Sequence, residues 1–180
     1  MTQLILFNKP YGVVTQFSGE AFEQTLAAYI KIPGFYAAGR LDKNSEGLLL
    51  LTDNGSLQHQ LTHPNYHKKK HYWVQVEGLV TEEALAPLRK GLHLKDIHFL
   101  PATAKLIAEP ASLWPRNPPI RTRLTIPTSW IEIILQEGKN HQIRRMTAAI
   151  GHPTLRLIRH KISHWELNEL QPGNYKILEV

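Results

Sequence analysis

Two kinds of hydrophobic pattern run along this chain. Gly47-Leu48-Leu49-Leu50-Leu51-Thr52 is a continuous apolar run of strand length, which predicts a strand covered on both faces. Residues 70–76 alternate instead, with Tyr72, Val74 and Val76 on one side and His71, Trp73 and Gln75 on the other, the two-sided pattern of a pleated strand. Residues 130–135 alternate in the same way. Shorter apolar stretches at 4–8, 12–16, 155–158 and 175–180 predict further strands, the first two joined by the Lys9-Pro10-Tyr11-Gly12 turn. Helical spacing is predicted at 25–31, closed by Pro33-Gly34, and at 56–61, stopped before Pro64. Thr81 is placed to N-cap a helix running to Lys90, in which Pro87 is a misfit expected to kink or shorten it. Asn140 is placed to cap a helix over 141–150. Residues 101–127, rich in Pro and Arg, predict an irregular insertion with little regular structure. Strands and helices in mixed order, without regular βαβ spacing, point to an α+β fold with a largely antiparallel sheet.

Composition narrows the partners. The 180 residues, 42% hydrophobic, can bury a real core and read as one domain over 1–180 or as two tightly packed subdomains. There is no cysteine, which excludes disulfides, thiolate metal sites and cysteine nucleophiles. With no apolar run long enough to span a bilayer and no charged-then-apolar leader, a soluble cytoplasmic protein is expected, with no membrane partner. The net charge of +6 makes a polyanion the expected large partner. Basic residues gather at Lys68-Lys69-Lys70, at Arg116, Arg121 and Arg123, from Lys139 to Arg145, and at Arg156, Arg159 and Lys161. Any one of these clusters could equally be a solvated face.

Asp42 is the leading chemical candidate. It lies between Arg40 and Lys43 in a polar loop directly before the apolar run, where a rigid strand can aim it. Such an aspartate is ordinarily a loop cap or a surface ion pair. A distant segment, Glu137-Gly138-Lys139-Asn140-His141-Gln142-Ile143-Arg144-Arg145-Met146, can supply it with a cation, which would hold a desolvated carboxylate ionised. Two other constellations are weaker. His59, His63, His67 and His71 recur every four residues, but Pro64 interrupts the helix and His71 falls in a strand, so no metal is expected there. Asp42 and Glu46 could be imagined as a glycosidase pair, yet four residues of loop fix no geometry for one.

Gly39-Arg40-Leu41-Asp42 followed by Gly47-Leu48-Leu49-Leu50-Leu51-Thr52, together with His141-Gln142-Ile143-Arg144, resembles the signature of RNA pseudouridine synthases of the branch that modifies bacterial ribosomal RNA. Lys70-His71-Tyr72 matches that family's Lys-x-Tyr motif, and Lys9-Pro10-Tyr11-Gly12-Val13 its first, structural motif. The resemblance implies a pseudouridine synthase fold, with a mixed, mostly antiparallel central sheet and flanking helices. It implies chemistry without cofactor or metal, in which Asp42 attacks the target nucleotide, the N-glycosidic bond breaks, the base rotates and re-bonds through C5. By the same matches Arg144 pairs with Asp42, Tyr72 stacks on the uracil, Ile143 packs against Tyr72, and Arg40 fills the space left by the flipped base. The third motif departs from the branch, which carries Asn-Arg-Gln where this chain has Asn140-His141-Gln142.

The residues expected to contact RNA are Lys70, Trp114, Arg116, Arg121, Arg123, Lys139, His141 and Arg145. The insertion Leu113-Trp114-Pro115-Arg116-Asn117-Pro118-Pro119-Ile120-Arg121 resembles that of a subfamily acting on the large ribosomal subunit, which implies a uridine in 23S ribosomal RNA. Many relatives carry an N-terminal S4-type RNA-binding domain; none is expected here, and the enzyme is expected to be a monomer. A ribosome-assembly or rRNA-binding protein without catalysis is the alternative, against which stand Asp42, Tyr72 and Arg144 together.

Overall fold

The computed structural model describes residues 1–121 and 125–180. Its first strand, β1 (Gln3–Lys9), leads through an irregular stretch to β2 (Tyr36–Ala37), β3 (Glu46–Thr52) and helix α1 (Gly55–Thr62). Then come β4 (Lys70–Glu77), α2 (Glu82–Lys90), the two-residue strands β5 (Leu92–His93) and β6 (His98–Phe99), β7 (Thr103–Ile107) and β8 (Thr128–Leu135). Helix α3 (Gln142–Ala149) precedes β9 (Thr154–Ile162), β10 (Trp165–Glu166) and β11 (Tyr175–Glu179). Among the described residues the main sheet runs β11-β1-β3-β9-β4-β8-β7, with β2 added to β3 and β10 to β9. Every pairing in it is antiparallel except β3 with β9. The class is α+β, with a mixed, mostly antiparallel sheet.

The parallel pairing is the seam between two antiparallel halves, and it is short: Glu46 opposite Ile158 and Gly47 opposite Arg159. Gly47 makes it possible. Its φ is +110°, and a Cβ there would stand 2.2 Å from the Arg159 carbonyl oxygen, so only glycine lets the strands meet.

The apolar run behaves as its pattern predicts. All seven residues of β3 are buried. Leu48 and Leu50 join Leu4, Leu6, Ile158 and Trp130 on one face, and Leu49 and Leu51 join Ile5, Phe7, Val13 and Leu26 on the other. β4 is two-sided: Tyr72, Val74 and Val76 pack with Leu85, Leu88, Ile133 and Met146 under α2 and α3, while His71, Trp73 and Gln75 face the opposite side, partly covered.

Four expectations need correction. Residues 12–16 form no strand, because β1 already has β11 and β3 on its two edges; their backbone bonds instead to the loops, Gly12 N–H to the Lys43 carbonyl and Val14 N–H to that of Gln24. Residues 25–31 do not make one helix. Thr25 is extended and separates two 3-10 turns, Phe22–Gln24 and Leu26–Ala28. Helix α2 is not shortened by Pro87 but runs through it to Lys90, with Pro87 on the exposed side, where the unbonded carbonyl one turn back is open to water. The stretch 101–127 contains a regular strand after all, β7, in register with β8.

Candidate active site

Asp42 stands on a loop whose backbone is held by buried side chains from distant parts of the chain. Thr15 Oγ donates to the Leu41 carbonyl at 2.6 Å and accepts from the Leu41 N–H at 3.1 Å. Arg159, 4% exposed, donates to the Arg40 carbonyl (3.2 Å) and the Leu48 carbonyl (2.9 Å), gripping the loop on both sides of Asp42. Lys9, fully buried, directs its Nζ to the carbonyls of Val13 (2.7 Å), Pro10 (2.8 Å) and Lys43 (3.5 Å). Burial drives the Lys9 ammonium down to a pKa of about 7, against the pull of Glu46. Glu46 itself is 1% exposed and takes a two-pronged pair of bonds from Arg156 at 2.8 and 2.9 Å and one from the Trp114 indole N–H at 2.8 Å. That environment removes Glu46 from any role as a second catalytic carboxylate.

With its backbone fixed, the Asp42 side chain is 43% exposed and opens into a cleft of about 460 Å³, within the range of ligand pockets. The cleft is lined by Arg40, Tyr72, Ile143 and Arg144, and by Lys68, Lys70, Lys139, His141 and Arg159. Glu137 is the other carboxylate there, and it accepts from the Gln142 amide and the Leu100 N–H. Three arginines and three lysines thus face two carboxylates, a potential that suits a phosphodiester backbone.

The elements explain the placements. β4 delivers Tyr72, 8% exposed, opposite Arg159 of β9 and Ile133 of β8. α3 buries Ile143 in the cluster that contains Tyr72, and its next residue, Arg144, faces the cleft. Burial lowers the Arg144 pKa while the charge of Asp42 raises it. Arg145, one residue on, turns away to pair with Asp96 at 2.6 Å. The helix period therefore separates two arginines that the sequence alone could not tell apart.

The expected Asp42–Arg144 ion pair is modified. Arg144 donates to the Asn44 carbonyl at 2.8 Å, two residues further along the same loop. Among the described residues, the basic side chain within 4.0 Å of Asp42 is His141, Nδ1 to Oδ2, at 4.0 Å. His141, not Asn140, is the N-cap of α3; it has φ +51° and caps with no side-chain bond, which leaves its ring beside Asp42.

Several residues expected to meet RNA are engaged inside the protein. Trp114 packs on the apolar cluster around Leu48 and Ile158. Arg116 donates to the carbonyls of Pro118, Pro119 and Leu155 and stacks on the Tyr11 ring at 4.0 Å. Arg145 is held by Asp96. Lys139 reaches the His98 carbonyl and pairs with Glu137 at 3.3 Å. Lys70 and His141 line the cleft, Arg121 is exposed beside a smaller hollow, and Arg123 lies outside the described residues. Arg156 and Arg159, grouped in sequence with a basic surface cluster, are core residues. Thr15 gave no signal at all, and the alternation of Arg156 with Leu155 and Leu157 pointed it away from the apolar face, hiding that both faces of the strand are covered. No helix among the described residues is long and apolar enough to cross a membrane.

A profile of the family described as RNA pseudouridylate synthase matches residues 3–149. Ribosomal large subunit pseudouridine synthase E of Vibrio vulnificus is 52% identical over 178 residues, which cover 99% of this chain and 76% of that protein. The protein of the same name from Xanthomonas axonopodis pv. citri is 51% identical over 171 residues, 94% of this chain and 90% of its own. A crystal structure of a pseudouridylate synthase shares the fold with a TM-score of 0.81 and 28% identity, over 99% of this chain and 71% of that one. The matched region runs from β1 to the end of α3 and so includes the Asp42 loop, Tyr72 and Arg144: the chain belongs to the RNA pseudouridylate synthase family.

Proposed function

We propose that this synthase isomerises a specific uridine of 23S ribosomal RNA to pseudouridine, with Asp42 as the nucleophile. The observation that carries the chemistry is the state of Asp42: among the described residues its carboxylate accepts no hydrogen bond, yet its backbone is pinned and its surroundings are cationic. That suits a group that must reach a substrate atom. The N1–C1′ bond of the target uridine breaks with Asp42 as nucleophile, the base turns in the cleft, and C5 bonds to C1′ as the bond to Asp42 breaks and its carboxylate is released. The proton on C5 leaves to solvent and N1 gains one, so the product is an isomer of the substrate. Tyr72 supplies the ring face for the uracil, Ile143 the wall behind it, and Arg40, exposed at the rim, the side chain that occupies the vacated stack. Arg144 keeps positive charge near the carboxylate, and the His141 ring stands 4.0 Å from it. The assignment to the large subunit rests on the names of the relatives about 50% identical to this chain.

The test is Asp42→Asn with RNA tritiated at uridine C5. Tritium release is expected to fall by about 10⁴-fold or more, with fold and RNA affinity retained; release near the wild-type rate would remove Asp42 from the chemistry. Mapping pseudouridines in cells that lack the gene checks the substrate. One 23S position should revert to uridine, and loss of a small-subunit position instead would overturn the large-subunit assignment.

A further inference from the structure

The reverse face of the sheet, behind Tyr72, carries a cluster that the reaction does not use. His71 of β4, Glu132 of β8 and His160 of β9 come from three adjacent strands and converge there. One potential ligand atom from each lies within 4.8 Å of the other two, and all three residues are partly buried. The structure assigns this cluster as a binding site for a divalent transition-metal ion of the zinc type, separate from the active site.

The geometry is built rather than accidental in three respects. First, β4 and β9 slip register between His71 and Tyr72: Arg159 lies opposite Tyr72 and Lys161 opposite His71, which leaves His160 as the extra residue that bulges toward the cluster. Second, the His160 ring is stacked on Trp73, with centroids 4.2 Å apart and planes 12° from parallel, which fixes its orientation. Third, its Nε2 is already 3.0 Å from Glu132 Oε2, and the His71 ring stands edge-on to it with centroids 5.8 Å apart. Tetrahedral zinc places ligand atoms roughly 3.4 Å apart, so the three side chains need to close by only about an ångström.

Ligand chemistry selects the ion. Two imidazoles and one carboxylate suit zinc, nickel, cobalt or copper, whereas magnesium and calcium require oxygen donors. Imidazole is mostly uncharged at neutral pH, so ligation displaces few protons. The charged neighbours can yield. Lys105 sits 3.3 Å from Glu132 Oε1 on a side chain that is 60% exposed and free to swing away. Lys161 is turned to Glu166 at 3.1 Å. A bound ion would tie β4, β8 and β9 together on the side opposite Tyr72, and its effect is read as stability of the sheet.

The experiment uses the full chain, free of any polyhistidine tag, titrated with zinc chloride by calorimetry and with cobalt chloride by visible absorption. One equivalent of zinc is expected to bind with a Kd of about 10 μM or tighter and to raise the melting temperature. Cobalt should show the d–d bands of a four- or five-coordinate ion. His160→Gln and Glu132→Gln should each weaken binding roughly tenfold or more. Lys105→Ala, which removes a competing cation without touching a ligand, should tighten it. His59→Gln and His63→Gln should leave it unchanged. Lack of stoichiometric binding by the wild type overturns the site, as does binding that survives His160→Gln but fails in the His59 or His63 variants. Pseudouridine formation in EDTA is expected to persist, because the cluster lies on the far face from Asp42.

Discussion

Two arginine-bearing segments, one lining the cleft and one lying outside it, use their charge in opposite ways. On α3, Arg144 faces the cleft and feels the charge of Asp42. In the 111–121 segment, Arg116 places its guanidinium on three backbone carbonyls and a tyrosine ring, and Trp114 donates to buried Glu46. Both segments looked alike in sequence: basic, interrupted by polar residues, with an aromatic or histidine nearby. An arginine offers its charge to a partner only when the fold has not already supplied acceptors for its five N–H groups. The 111–121 segment is a strap fastened across the start of β3. It reaches the site through Glu46, four residues after Asp42.

Cutting that strap is the largest effect expected short of removing Asp42. Glu46→Ala leaves Arg156 buried without its carboxylate and should cost about 3–5 kcal/mol in urea unfolding. A Glu46→Leu/Arg156→Met double variant, with no charge left inside, should lose less than Glu46→Ala alone. If Glu46→Ala loses under 1 kcal/mol, the strap is not an anchor.

The two α3 arginines sharpen the contrast next. Arg144→Ala should lower kcat by about 10²-fold, since the cation beside the proposed nucleophile is lost. Arg145→Ala loses only a pair exposed to solvent and should stay within about threefold of wild type. The reverse result would assign the role to Arg145.

Lys9 probes how firmly the Asp42 loop is held. Burial is the main cause of its low folded pKa of about 7, while the unfolded lysine titrates near 10.5. Between those values the unfolded chain binds more protons than the folded one, so the contribution of Lys9 to stability rises with pH across that window. Lys9→Met cannot titrate. The stability of wild type relative to Lys9→Met should therefore increase from pH 7 to pH 10, and a flat difference would mean the ammonium stays charged in its pocket.

The smallest effect separates a free cation from an engaged one. Lys68, half-buried at the rim of the cleft, should reduce the salt slope of RNA binding by about 0.7 when changed to alanine. Arg116→Ala should alter it by much less. Equal changes would show that Arg116 leaves its carbonyls to meet phosphate.

Much of the fold was legible because local pattern and burial agree. The run at Leu48–Leu51 had to be covered on both faces, and the alternation at Tyr72, Val74 and Val76 had to have one dry side; both follow from pleat geometry and the cost of exposing apolar surface. Thr81 and Asn54 cap their helices through the N–H groups three residues on, a purely local interaction. The strand at 12–16 failed for the opposite reason, since whether an extended segment joins a sheet depends on a free edge elsewhere.

Sequence by itself determined that Asp42 stands in a polar loop before a buried strand, that Tyr72 sits on the apolar side of its strand, and that the chain carries an excess of positive charge. The match of His141-Gln142-Ile143-Arg144 to the family's motif implied Arg144. Tertiary structure alone decided which cations face outward. It buried Arg156, Arg159 and Lys9 under the Asp42 loop, turned Arg145 toward Asp96 and Arg144 toward Asn44, and brought His141 to 4.0 Å from Asp42. It also gathered His71, Glu132 and His160, which lie as many as 89 positions apart, on one face of three strands. The physical reason is the same in each case. The direction of a long polar side chain is set by acceptors and charges that reach it through space, and a residue's sequence neighbours hold no record of them.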